Sequence, residues 1–197
     1  MKNRFLCFLL IAAALLCTAG CGQQAATVDR LVRVEMEDGG VFYIELYPEY
    51  APKTVQNFIE LVEEGFYNGL IFHRVETGVL IQGGDPEGTG YGGSGKAIKG
   101  EFSENGCKTN TLKHTKGIVS MARTNDPNSA TSQFFICEKS LPSLDGKYAA
   151  FGKVISGMET VHKIGSCRVN GNKPIEPQRM KTVTMIEKST IETNKGE

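Results

Sequence analysis

Alternation of apolar and polar positions begins at Leu31. In "LVRVEMEDGGVFYIELY", Val32, Val34 and Met36 alternate with Arg33, Glu35 and Glu37, "DGG" supplies a turn, and Phe42, Ile44 and Leu46 alternate on the return. A period of two on both sides of a glycine turn predicts a β-hairpin with one buried face. Pro52 then stands where a helix tolerates a missing N–H. Val55, Phe58, Leu61 and Val62 recur at helical spacing, and Gly65 ends the run. From Leu70 onward, short apolar stretches alternate with Gly, Asn, Asp and Pro: "LIFHRV", "VLIQ", "GIVSMA", "SQFFIC", "AAFGKV" and "TVTMIE". A second helical stretch, Met158 to Ile164, interrupts them once. Many short strands, two helices and no parallel βαβ alternation predict a mainly β fold: a closed antiparallel barrel with helices plugging its ends.

The first twenty residues follow a different pattern. Lys2 and Arg4 precede an apolar run from Phe5 to Leu16, about a dozen residues, the length of a signal-peptide core and short of the ~20 needed to cross a bilayer. "LCTAGC" follows and resembles the lipobox of bacterial lipoproteins, with Thr18 where Leu is usual. There the peptide is cut before the cysteine and the thiol takes a diacylglycerol. A cysteine directly after Ala-Gly favours a lipidated Cys21 over plain secretion with cleavage near Ala19. The expected layout is a signal peptide over 1–20, a lipidated cysteine and tether over 21–29, one domain over 30–190, and a polar tail over 191–197. The expected location is extracytoplasmic, on a bacterial membrane.

Charge and cysteine content change the picture little. The chain holds 22 basic and 22 acidic side chains, and removing Lys2 and Arg4 leaves 20 against 22. No basic surface for nucleic acid is implied. Of six cysteines, Cys7 and Cys17 leave with the signal and Cys21 goes to lipid. Cys107, Cys137 and Cys167 remain as thiols, with a Cys107–Cys167 bridge as the open alternative outside the cytoplasm.

Three tempting chemistries fail on context. Gly88-x-Gly90-x-x-Gly93 fits a dinucleotide fingerprint, and Gly90-x-x-x-x-Gly95-Lys96 nearly fits a phosphate loop. Both need a following helix, whereas "AIKGEF" follows, and Ala97 sits where a magnesium-binding hydroxyl is required. His73, His114 and His162 lack metal-ligand spacing. Cys137 lies inside an apolar strand, the place of an inert thiol, and Ser94 has no base implied beside it. No cofactor and no metal are expected.

"FHRV" followed by "QGGD", then "GIVSMAR", "SATSQFFI" and "LDGKYAAFGKV", in that order, resembles the cyclophilins, the peptidyl-prolyl cis–trans isomerases. The likeness runs from Leu31 to Ile186. It implies an eight-stranded antiparallel barrel capped by two helices, with a substrate groove on the barrel's outer face. Rotation of an X–Pro bond crosses a barrier of ~18–20 kcal/mol and needs only that the twisted amide be bound better than either flat isomer. Twisting returns a lone pair to the prolyl nitrogen, and the resemblance makes Arg74 the donor to it. It further implies Gln82 as the side chain orienting Arg74. Phe135, Leu80 and Leu144 form the socket for the proline ring, with Val79 beside them. Gln133 is a second groove amide. Ala122 and Arg123 hold the residue before proline, and His73 and Tyr148 flank the groove. The expected partners are proline-containing peptides and folding proteins, met by a monomer. A non-catalytic proline-binding chaperone or adhesion module is the alternative, and Arg74 with Gln82 favours the enzyme.

Four positions depart from the human-type members that bind cyclosporin tightly: Ser143 for tryptophan, Tyr148 for histidine, Val79 for phenylalanine and Thr77 for proline. Weak cyclosporin binding is the expectation.

Overall fold

A computed structural model describes residues 30–189. The expected signal peptide, Cys21 and the expected polar tail lie outside them. The hairpin forms as expected from β1 (Arg30–Met36) and β2 (Val41–Leu46), with Val34 opposite Phe42 and Val32 opposite Ile44. Next come α1 (Pro52–Glu63), β3 (Ile71–Glu76) and β4 (Leu80–Gly83). Then follow β5 (Ile118–Met121), β6 (Phe134–Cys137), β7 (Ala150–Ser156) and α2 (Met158–Gly165). A short ribbon of β8 (Val169–Asn170) and β9 (Lys173–Pro174) precedes β10 (Gln178–Glu187). Eight strands close an antiparallel barrel in the order β1-β10-β3-β4-β6-β5-β7-β2. The β8–β9 ribbon is a separate two-stranded sheet packed against β3, whose Val75 N–H donates to the Asn172 carbonyl at 2.7 Å, and it is an addition to the expected strands; two residues per strand leave no readable alternation.

The barrel interior is filled by the inward half of each alternation. Val75, Ile81, Ile136 and Val119 lie opposite one another across β3, β4, β6 and β5, and all four are fully buried. Phe58 of α1 reaches into a cluster of rings, with centroids 5.0 Å from Tyr67, 5.4 Å from Phe134 and 5.0 Å from Phe151. Offset and edge-on rings at such spacings add to the stability that burial supplies. Gly84, just past β4, has a left-handed φ of 84°, and a Cβ there would lie 2.5 Å from the Ser132 carbonyl oxygen. Only glycine lets the chain leave β4 so close to its neighbour.

One irregularity positions everything that follows. Strict alternation counted from the buried Phe72 would put His73 outside and Arg74 inside, but Phe72 and His73 are both buried and Arg74 is not. The register slips between Phe72, opposite Gly83, and Arg74, opposite Gln82. A bulge of this kind re-aims the side chains beyond it. Arg74 and Glu76 therefore share the outer face, while Val75 returns to the core.

Helix α1 begins without a side-chain cap of its own. The buried carboxylate of Glu101, distant in sequence, accepts instead from Lys53 N at 3.1 Å, Thr54 N at 2.8 Å and Thr54 Oγ1 at 2.8 Å. Hydrogen bonds to a charged group contribute ~1.5–3 kcal/mol. Glu101→Ala is therefore expected to destabilise the fold by about 2 kcal/mol in urea denaturation. A change within ~0.5 kcal/mol, the range of ordinary surface substitutions, would remove this capping role.

Candidate active site

Antiparallel registers align one row of outward side chains across four strands: Arg74 of β3, Gln82 of β4, Phe135 of β6 and Ser120 of β5. Directly opposed residues of a sheet share a face, so the pleat itself brings these groups together. The next row, toward the β3–β4 turn, holds Glu76, Leu80 and Cys137.

Arg74 is gripped at both ends of its guanidinium. Its Nη1 donates to Gln82 Oε1 at 2.8 Å, and its Nη2 forms an ion pair with Glu76 Oε1. The chain of amides continues: Gln82 Nε2 donates to Gln133 Oε1 at 2.9 Å, and Gln133 Nε2 donates to the carbonyls of Gly90 and Gly92 at 3.0 and 2.8 Å. Arginine in a planar fork with several acceptors loses little further freedom on meeting another. The side chain remains 38% exposed, open to a ligand from the groove.

Beside Arg74 lies an apolar cup separate from the barrel core. Leu80, Phe135 and Cys137 are its buried members, and Val79, Ala122, Leu141, Leu144 and Tyr148 pack onto them. Together with Arg74, Glu76, Gln82, Arg123 and Ser143 these outer residues enclose a cavity of about 370 Å³. A second cavity of about 420 Å³ opens beyond Gln82, Ala122 and Arg123, between Gln133 and the glycine-rich loop from Glu87 to Gly95. Arg123 forms part of the wall between the two cavities. Its guanidinium lies 4.6 Å over the Tyr148 ring and 5.0 Å over Phe102, and its Nη2 donates to Lys147 O at 2.8 Å. Such stacking leaves the positive charge in place, because its partners are neutral.

The Phe135 ring is fixed from two sides. Tyr148 meets it edge-on at 5.7 Å, and the His114 ring stacks on it at 6.0 Å, tilted by 16°. His114 is itself held, with Nδ1 3.1 Å from Asp145 Oδ1 and Nε2 3.0 Å from Ser120 Oγ. Burial depresses the His114 pKa, and the Asp145 carboxylate only partly opposes it. The Asp145 carboxyl, raised by burial but lowered more by the His114 N–H groups and the charge of Lys113, falls below the ordinary range.

The structure brings together Arg74, Val79, Leu80, Gln82, Ala122, Arg123, Phe135, Leu144 and Tyr148 around the first cavity. Gln133 borders the second. His73 is the exception: expected on the groove's flank, it lies behind it, buried beneath Gly90 and lining neither cavity. The bulge in β3 turned it inward. Burial lowers its pKa, and both ring nitrogens lack partners, so it is a neutral packing group. Cys137 forms the floor of the cup with its thiol pushed up to about 12 by burial, the state of an inert thiol. Cys107 and Cys167 are free thiols as well. Among the described residues no cluster of His, Cys, Asp or Glu is arranged to hold a metal ion.

Sequence reasoning missed Glu76 and the His114–Asp145–Ser120 support. Glu76 carried a usable signal, standing two residues from Arg74 on one strand and therefore on its face. The contacts of His114 bridge chain segments that no local period connects.

Comparison with known proteins bears on the family and the fold. The family described as "Cyclophilin type peptidyl-prolyl cis-trans isomerase/CLD" matches residues 31–185. A peptidyl-prolyl cis-trans isomerase of Schizosaccharomyces pombe is 45% identical over 153 residues, covering 76% of this chain and 96% of that protein. A peptidyl-prolyl cis-trans isomerase-like protein of Gallus gallus is 44% identical over 154 residues, covering 75% and 91%. Among solved structures, a Cryptosporidium parvum cyclophilin type peptidyl-prolyl cis-trans isomerase in the presence of the dipeptide Ala-Pro superposes with a TM-score of 0.71 at 38% identity, covering 79% and 98%.

The glycine-rich wall of the second cavity depends on one buried carboxylate. Burial pushes the Asp85 carboxyl up, but the backbone N–H groups of Glu87, Gly90, Gly92 and Thr89 together outweigh it and leave the pKa below the ordinary aspartate value. A depressed carboxyl contributes stability that is full above its unfolded pKa and is lost as pH falls through the folded one. Acidification below the ordinary aspartate range is expected to loosen residues 85–92, seen as faster amide exchange there. Asp85→Asn should be looser at neutral pH and respond less to acid. Equal acid responses in both proteins would show that Asp85 does not organise the loop.

Proposed function

The chain belongs to the cyclophilin family and is a peptidyl-prolyl cis–trans isomerase, and from that premise we propose that Arg74 drives the rotation by donating to the prolyl nitrogen of a twisted X–Pro amide. The observation that carries this reading is the fixed guanidinium at the lip of an apolar cup. A proline ring seated against Phe135, Leu80 and Leu144 would put its nitrogen beside Arg74. In a flat amide that nitrogen has no lone pair to offer, because resonance spends it on the C–N bond. Only the half-rotated amide accepts the hydrogen bond, so Arg74 stabilises the transition state and leaves both ground states unaided. Gln82 and Glu76 hold the donor in place beforehand, which removes reorganisation from the barrier.

The magnitudes divide the work. A charge-assisted hydrogen bond of ~1.5–3 kcal/mol accounts for about one to two decades of rate. The cup must supply the rest, by taking the amide out of water and fixing the ring. Crystallisation of the Cryptosporidium parvum relative in the presence of Ala-Pro supports a ligand of that kind for this groove. Its partners in this reading are proline-containing segments of folding proteins, whose uncatalysed isomerisation takes ~10–100 s.

The setting of the reaction belongs to the same reading. A lipidated Cys21 would tether the domain outside the cytoplasm, where secreted chains fold. The apolar run from Phe5 to Leu16, ahead of "LCTAGC", supports this. Among the described residues no helix is long and apolar enough to cross a membrane. Two or more acyl chains would anchor the protein stably, as one alone would not.

Arg74→Ala is expected to lower kcat/KM on a short X–Pro peptide at least tenfold in a protease-coupled assay, with the fold intact by circular dichroism. A loss below about twofold, less than ~0.4 kcal/mol of transition-state stabilisation, would contradict the mechanism. For the anchor, labelled fatty acid should enter the wild-type protein in a lipoprotein-processing cell and be absent from Cys21→Ser. Equal labelling of both would remove the tether and leave the enzyme reading untouched.

A further inference from the structure

Glu76 does more at the groove than hold Arg74. It opens the β3–β4 turn, whose chain reversal is closed by the Val79 N–H donating to the Glu76 carbonyl at 2.8 Å. Its carboxylate therefore sits on the rim of the cavity that holds the apolar cup, half-buried, while the cup itself lies deeper. One oxygen, Oε1, pairs with Arg74. The other, Oε2, has no hydrogen bond among the described residues.

The sheet register gives the direction in which a bound peptide passes it. From the row Arg74–Gln82–Phe135, Glu76 and Leu80 lie one row toward the turn. The second cavity lies the opposite way, bordered by Gln133, Ala122 and Arg123 past the ends of the β6 and β5 ladders. On the proposed reading the residue before proline rests at Ala122 and Arg123. The residue after proline then leaves on the other side, over Glu76.

Resting on that reading, we infer that Glu76 sets a charge preference in the substrate: X–Pro segments with a basic residue directly after proline over those with an acidic one. Arg74 and Arg123 both bring positive charge to this cavity. Unopposed, they would favour acidic segments. The Glu76 carboxylate cancels the first of them and leaves an acceptor oxygen on the rim where a lysine or arginine side chain can reach it. An ion pair at a partly exposed rim changes affinity by a few-fold and is screened by salt.

The test uses three peptides alike except after proline, where they carry Lys, Glu or Ala, assayed for kcat/KM at low and high salt. Wild type is expected to favour Lys over Glu about three- to fivefold at low salt, and the ratio should shrink toward one at high salt. In Glu76→Gln the ratio should fall below one, and Glu76→Lys should carry it further the same way. A ratio equal in wild type and Glu76→Gln overturns the inference, even if the variant is slower on all three peptides, because a carboxylate that only positions Arg74 slows them alike. The Ala peptide separates the two claims. No turnover of it by wild type sinks the isomerase reading, whereas normal turnover with no charge ratio sinks the preference alone.

Discussion

The closure of the barrel and the single slip in β3 set the rest of the molecule. A closed sheet leaves no freedom in register, since shifting one strand would turn its buried face to water. With the register fixed, one irregular residue decides which side chains face out. His73 absorbs the slip by turning inward, and Arg74 emerges opposite Gln82 instead of one position out of phase. The groove is thus assembled from four strands at once, Arg74 and Gln82 meeting Phe135 and Ser120 along one line of the pleat. Its precision comes from the core behind it, where Val75, Ile81, Ile136 and Val119 repeat the same line on the inner face.

What the fold offers to chemistry is a charge held still next to an apolar surface. Amide rotation needs no bond made or broken beyond the loss of resonance, so position counts for more than reactivity. The polar chain from Glu76 through Arg74, Gln82 and Gln133 to the Gly90 and Gly92 carbonyls runs along the groove. On the apolar side, the His114 ring braces Phe135 and is in turn pinned by Asp145 and Ser120. The two supports have different origins. One is a row of neighbouring strands, the other a knot of loops behind the cup.

Much of this was legible in the sequence, for physical reasons. Alternation of period two located the hairpin, short apolar runs between turn residues located the later strands, and the Val55–Phe58–Leu61–Val62 stripe located α1, because burial enforces those patterns. Arg74, Gln82, Phe135 and Leu144 were reached through ordered motifs resembling the cyclophilins. Composition alone would have left Arg74 as a solvated side chain. His73 was placed on the groove's flank through the resemblance alone, and the structure buries it behind the groove, on the same side of β3 as Val75. Glu76 was within reach by the i, i+2 rule and was overlooked. The β8–β9 ribbon, the Glu101 cap of α1 and the His114 brace depend on contacts between distant segments, for which no local pattern exists.

Where a proline ring binds decides how the rotation is driven. A crystal structure of this protein with an Ala-Pro peptide tests it most directly. The ring should lie in the cup of Phe135, Leu80 and Leu144, with an Arg74 guanidinium nitrogen within about 3.5 Å of the prolyl nitrogen, the outer reach of a hydrogen bond. A ring seated in the second cavity, or an Arg74 turned away from the peptide and held only by Glu76, would contradict it.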